Sequence, residues 1–92
     1  MEEIAHSGTR LNLRMILEQG RSDLRIIHES GTELVVTLND GLLIDMACPT
    51  VEGDVIIIFC TNGREVFCDA VTGKILTAAE LNNWPGGISI HI

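Results

Sequence analysis

The sequence predicts a mainly-β domain: an antiparallel meander of about six to eight short strands, curled into a half-open barrel or a small two-layer roll, with one short helix near 78–83. Three observations carry this. Residues Val55–Cys60 form an unbroken apolar run, VIIIFC. Successive strand side chains point to opposite faces, so such a run demands cover on both. Turn signals punctuate the chain at Asn39-Asp40-Gly41, Asn62-Gly63 and Thr72-Gly73, each able to supply the left-handed backbone of a tight turn. Finally, Thr77-Ala78-Ala79-Glu80 has the spacing of a capping box, in which hydroxyl and carboxylate each accept from a free backbone N–H at a helix start. Ninety-two residues suit one domain, 1–92, burying roughly 60–65% of its unfolded surface.

Residues 1–8 read as a loose lead-in. In 10–18 the apolar residues Leu11, Leu13, Met15 and Leu17 alternate. That favours a strand over the helix their composition also permits. Leu24–His28 and Leu34–Leu38 are expected to form a hairpin across Glu29-Ser30-Gly31-Thr32. A second hairpin is expected across Asn39-Asp40-Gly41. A three-residue loop there pairs Leu38 with Leu42, Val36 with Ile44 and Leu34 with Met46, setting six apolar side chains on one face. A two-residue loop would pair Val36 with Asp45, mixing core and charge.

The same register centred on Gly63 sets Cys60 opposite Arg64 and Cys68 opposite Ile56. The resemblance of the two hairpins is a weak repeat, which ordinary hairpin patterning accounts for. Residues 48–53 connect them, with Pro49 and Gly53 as strand breakers. Asp69–Lys74 resembles the hairpin turn of β-propeller blades; this is a turn signature only, in a chain too short for a propeller. A short strand follows at Lys74–Leu76, then the helix, stopped before Pro85-Gly86-Gly87. The alternating tail Ile88–Ile92 reads as a strand that closes a sheet edge or pairs with another chain.

The net charge is -7 and unevenly spread. Residues 1–31 hold five acids and four bases, whereas 32–92 hold eight acids against Arg64 and Lys74. Nucleic-acid binding needs clustered bases with stacking aromatics, so no direct nucleic-acid contact is expected. There is no basic leader before an apolar segment and no span of about 18 apolar residues. The three cysteines show no metal-site spacing. Cys48, Cys60 and Cys68 read as small core residues in a reducing, cytoplasmic setting, with Cys60 and Cys68 about 13 Å apart at strand rise, too far for a disulfide.

His6, His28 and His91 stand alone in sequence, and Asp40, Asp45, Glu52 and Asp54 lack the spacing of a calcium loop. No P-loop, nucleophile elbow or dinucleotide motif occurs. No catalytic residue, metal or cofactor is therefore expected. Elimination leaves a small acidic, non-catalytic protein-binding module. It would occupy a partner's surface as inhibitors, immunity proteins and anti-defence proteins do. Trp84, Glu52, Asp54, Glu65 and Asp69 are the candidate contacts, the acids steering toward a basic partner. A homodimer through a free strand edge or the apolar surplus is expected as well. The alternatives are a barrel binding a small ligand and a polyanion mimic that blocks a basic protein.

Overall fold

The computed structural model describes residues 2–8, 12–50 and 54–84. They form seven strands and one helix: β1 (Glu2–Gly8), β2 (Asn12–Leu17), β3 (Asp23–His28), β4 (Glu33–Thr37), β5 (Ile44–Pro49), β6 (Val55–Cys60), β7 (Glu65–Asp69) and α1 (Ala78–Asn82). All pairings are antiparallel. The strands divide into two sheets, ordered β1-β2-β3-β4 and β5-β6-β7. The protein is thus the mainly-β antiparallel meander with one short helix that the sequence predicts. Its sheets do not close into a barrel. Glu2–Gly8, expected as a lead-in, pairs with β2 instead. The alternating tail 88–92 and the stop at 85–87 lie outside the described residues.

Alternation decides what each strand buries. Leu13, Met15 and Leu17 of β2, Leu24 and Ile26 of β3, and Val36 of β4 face the space between the sheets, with Leu38 just beyond. Ile44, Ala47, Ile56, Ile58, Cys60, Cys68 and Ala70 meet them from the second sheet. The centre of that sheet is β6, where Val55, Ile56, Ile57 and Ile58 are all 0% exposed. Adjacent strand residues point to opposite sides, so both faces of β6 are covered.

Two hairpins use one local device. His28 N–H donates to Thr32 C=O at 2.8 Å, and Cys60 N–H to Arg64 C=O at 2.8 Å. Each encloses three residues, the last being Gly31 (φ +95°) or Gly63 (φ +88°). A side chain at that left-handed position would be strained, which is why glycine ends both loops. The second hairpin keeps the expected register, with Ile58 opposite Val66 and Ile56 opposite Cys68. All three cysteines are free thiols.

The hairpin expected across Asn39-Asp40-Gly41 does not form. Its turn does form, but with two central residues: Asp40 (φ +60°) and Gly41 (φ +70°) are both left-handed, and Leu42 N–H donates to Asn39 C=O at 3.2 Å. The flanking strands then part. β4 pairs with β3 and β5 with β6, so the pairings of Val36 with Ile44 and Leu34 with Met46 are absent. The chain changes sheets here, and the two similar segments are not a structural repeat.

Arg21 holds the crossover. Its carbonyl accepts Ile44 N–H at 2.7 Å. Its Nε and Nη2 donate to the carbonyls of Ile44 and Asp45 at 2.8 and 2.9 Å. A bulge at Asp45 shifts the β5–β6 register between Ile44 and Met46. The extra residue reverses the alternation, so Ala47 enters the core while Met46, expected there, is 48% exposed. β5 also runs through Cys48 and Pro49, which were expected in the connection 48–53, and Thr50 N–H donates to Val55 C=O at 2.9 Å. By alternation the amide position of Pro49 faces away from β6, toward the sheet edge, where no ladder donor is lost.

Beyond β7, Ile75 bridges Cys68 and Leu76 N–H donates to Phe67 C=O at 2.8 Å, a reduced form of the strand expected at 74–76. Thr77 then caps α1 in the expected capping box.

Two pairs of substitutions probe this architecture by urea unfolding. Ile57→Ala should destabilise by about 2–5 kcal/mol, the range for truncating a buried aliphatic residue, whereas Val71→Ala at an exposed turn should stay within about 0.5 kcal/mol. Arg21→Ala, which removes both side-chain bonds to β5, should cost roughly 1–3 kcal/mol. Arg21→Gly should cost about 1 kcal/mol less, because it also relieves the left-handed backbone (φ +61°).

Candidate functional site

The antiparallel path gives the molecule two ends. Turns 18–22, 39–42 and 61–63 gather at one, linked by Leu38 N–H to Ser22 C=O (2.9 Å) and Thr61 N–H to Leu43 C=O (2.9 Å). Turns 29–31 and 70–73 belong to the other. Segment 74–76 runs back beside β7 toward the first end and delivers α1 there. Between β7 and α1 lies a groove of about 380 Å³. Phe67, Ile75, Leu76 and Leu81 give it an apolar lining, and Arg64 and Glu65 add charge at the start of β7.

The local sequence explains how the groove stands open. Thr77 turns the chain out of the edge strand. Glu80 N–H donates to Thr77 Oγ1 at 3.2 Å, and Thr77 N–H donates to Glu80 Oε1 at 3.1 Å. Lys74 Nζ donates to the other Glu80 oxygen at 2.8 Å. These partners, Lys74 first, hold the Glu80 carboxyl down at about 2, against an ordinary value of 4.5. Five residues of helix then fit before Asn83. α1 buries no residue fully, so it stands beside β7 rather than sealing it, with Leu81 only half-buried.

The sequence-derived contacts do not converge. Glu65 is exposed at the start of β7 and lines the groove. Trp84 follows α1, its N–H donating to Leu81 C=O at 3.3 Å, and is half-buried. Asp54 and Asp69 lie at the opposite end. Asp69 pairs with Val55, and Ala70 N–H donates to the Asp54 carbonyl at 2.9 Å. The Asp69 carboxylate also accepts Val71 N–H at 2.7 Å and Thr72 N–H at 3.1 Å, so it braces its own turn. Four residues of strand separate it from Glu65, roughly 13 Å. Glu52 lies outside the described residues. The groove residues Phe67, Ile75, Leu76 and Leu81 were not singled out in sequence. The one available signal was a capped short helix following an edge strand, which places apolar side chains on both walls.

The described lining contains no thiol, imidazole or hydroxyl. Burial pushes the Cys68 thiol up to about 12, with the neighbouring Asp69 charge adding to the shift, and raises Cys48 and Cys60 as well. Thiols shifted upward are poor nucleophiles at neutral pH. Among the described residues no three His, Cys, Asp or Glu side chains converge on a metal-sized site, and no helix is long and apolar enough to cross a membrane. What the groove can do is receive an apolar side chain beside an acid and a base.

Because folding lowers the Glu80 value, its bonds stabilise the helix start fully above about pH 4.5 and are lost as pH falls toward 2. An NMR titration should place the Glu80 carboxyl well below its ordinary value of 4.5, with added salt narrowing the difference. A midpoint near 4.5 would show that the capping box does not hold in solution. Compared with protein-family models, curated proteins and solved structures, the chain matches none.

Proposed function

We propose that this protein is a non-catalytic binding module, acting by occupying the surface of a basic partner protein. The observation that carries the reading is the apolar groove between β7 and α1, on the acid-rich half of the chain and lined by residues suited to contact rather than reaction. An apolar recess receives an anchoring side chain of the partner, while nearby acids steer the encounter and set its orientation. Glu65 at the groove and Trp84 just past α1 are the contacts of this reading; Asp54 and Asp69 form a second, separate acidic edge. In this reading the protein works in the cytoplasm, where its three free thiols stay reduced.

Polyanion mimicry is the second reading, favoured by the net charge of -7. A barrel enclosing a small ligand has less support, because the two sheets do not close into one.

The test is capture of partners from the native host with the wild-type chain, Glu65→Arg and Leu81→Asp. A basic protein retained by the wild type and weakened about tenfold or more by both variants supports the groove; a tenfold change is about 1.4 kcal/mol, within what one anchoring contact supplies. A partner held equally by all three chains overturns it. A complex lost entirely in ~0.5 M salt transfers support to charge mimicry.

A further inference from the structure

We infer that the outer edge of β4, unpaired among the described residues, is a self-association surface, on which a second copy of this chain lays its own β4 antiparallel about a two-fold axis at Val35. The inference goes beyond the groove reading and is independent of it, because β4 belongs to the other sheet.

Two sheets have four edges, and the structure treats them differently. β1 runs close alongside β5, so these two edges face each other. β5 also carries Pro49 and the bulge at Asp45, both of which discourage pairing. The edge of β7 is taken over part of its length by Ile75 and Leu76. β4 has no proline, bulge or lysine, and among the described residues no strand pairs with it except β3. At its centre Val35 is 59% exposed, the most exposed large apolar residue among those described.

The ladder to β3 decides which groups β4 offers. His28 donates to Thr32 and Leu38 donates to Ser22, so the even-numbered residues bond toward β3. By alternation Glu33, Val35 and Thr37 direct N–H and C=O outward. A two-fold pairing about Val35 sets Val35 against Val35 of the second copy, and Glu33 against its Thr37. All three positions then exchange paired hydrogen bonds. No acid meets an acid. The two Glu33 side chains fall at opposite ends of the pairing, roughly 13 Å apart along the strand and beyond the screening length of about 8 Å in physiological salt. For a chain of net charge -7, a segment that pairs with itself without opposing its acids is a permissive place for two copies to meet. Closed two-fold pairing also consumes the edge, so association stops at a dimer.

The test follows sedimentation of the full chain from micromolar to millimolar concentration, with circular dichroism confirming that each variant is folded. The wild type should dimerise with concentration. Val35→Lys, which opposes two like charges, and Val35→Pro, which removes the central donor without touching the β3 ladder, should each raise the dissociation constant about tenfold or more. Val71→Lys, at an exposed turn, should not. Val35→Cys should yield a disulfide-linked dimer on mild oxidation, because Cα atoms of such a pair lie about 5.5 Å apart, whereas Val71→Cys should not. A wild type that stays monomeric at millimolar concentration overturns the inference, as does a dimer indifferent to the Val35 variants. A monomer whose Val35 amide resists hydrogen exchange also overturns it, since the chain would then cover its own edge.

Discussion

The structure depends on hiding β6 from water on both faces. Four consecutive residues, Val55–Ile58, are fully buried. Each is an aliphatic side chain whose exposure would cost about 1.5–3 kcal/mol. No single sheet can meet that demand, because it leaves one side of every strand open. The chain therefore splits its strands between two sheets and places β6 in the middle of the smaller one. The larger sheet supplies the cover on one side through Leu13, Met15, Leu24, Ile26 and Val36.

That solution requires the chain to pass from one sheet to the other, and the crossing is where hydrogen bonding is most non-local. Arg21, in the turn between β2 and β3, bonds to the start of β5 through its backbone and side chain. A guanidinium suits this place because its several donors are fixed in one plane and can serve two neighbouring carbonyls together. The bulge at Asp45 sits beside this clasp. Together they set the alternation of β5, delivering Ala47 rather than Met46 to the core.

Chemistry follows the same division. The acid-rich part of the sequence maps onto β4, the crossover, the second sheet and α1, while Arg14, Arg21 and Arg25 belong to β2, β3 and the turn between them. Arg25 is paired with Glu18 at 2.6 Å and Arg21 is engaged by β5, so part of the positive charge is committed to structure. Among the described polar side chains of the second half, Asp69, Asn62 and Thr72 brace turns, Thr50 is buried, and the thiols are buried or half-buried.

What the residues alone determined was local. Gly31 and Gly63 end three-residue loops because only glycine enters the left-handed region without strain. Thr77 and Glu80 start a helix because their side chains fit its free amides. The VIIIFC run had to become a strand covered twice. The candidate contacts were legible as acids and a tryptophan, but not the separation of Glu65 from Asp54 and Asp69 to opposite ends of β7. Tertiary structure decided that separation, along with the partners of β4 and β5, the outward turn of Met46 and the groove beside α1. Asn39-Asp40-Gly41 carries the same turn chemistry as a hairpin, and a turn constrains only the few residues it contains. Whether its flanks then pair is settled by competing strands and by Arg21, eighteen or more residues away in sequence. Such contacts leave no periodic trace in the chain that makes them.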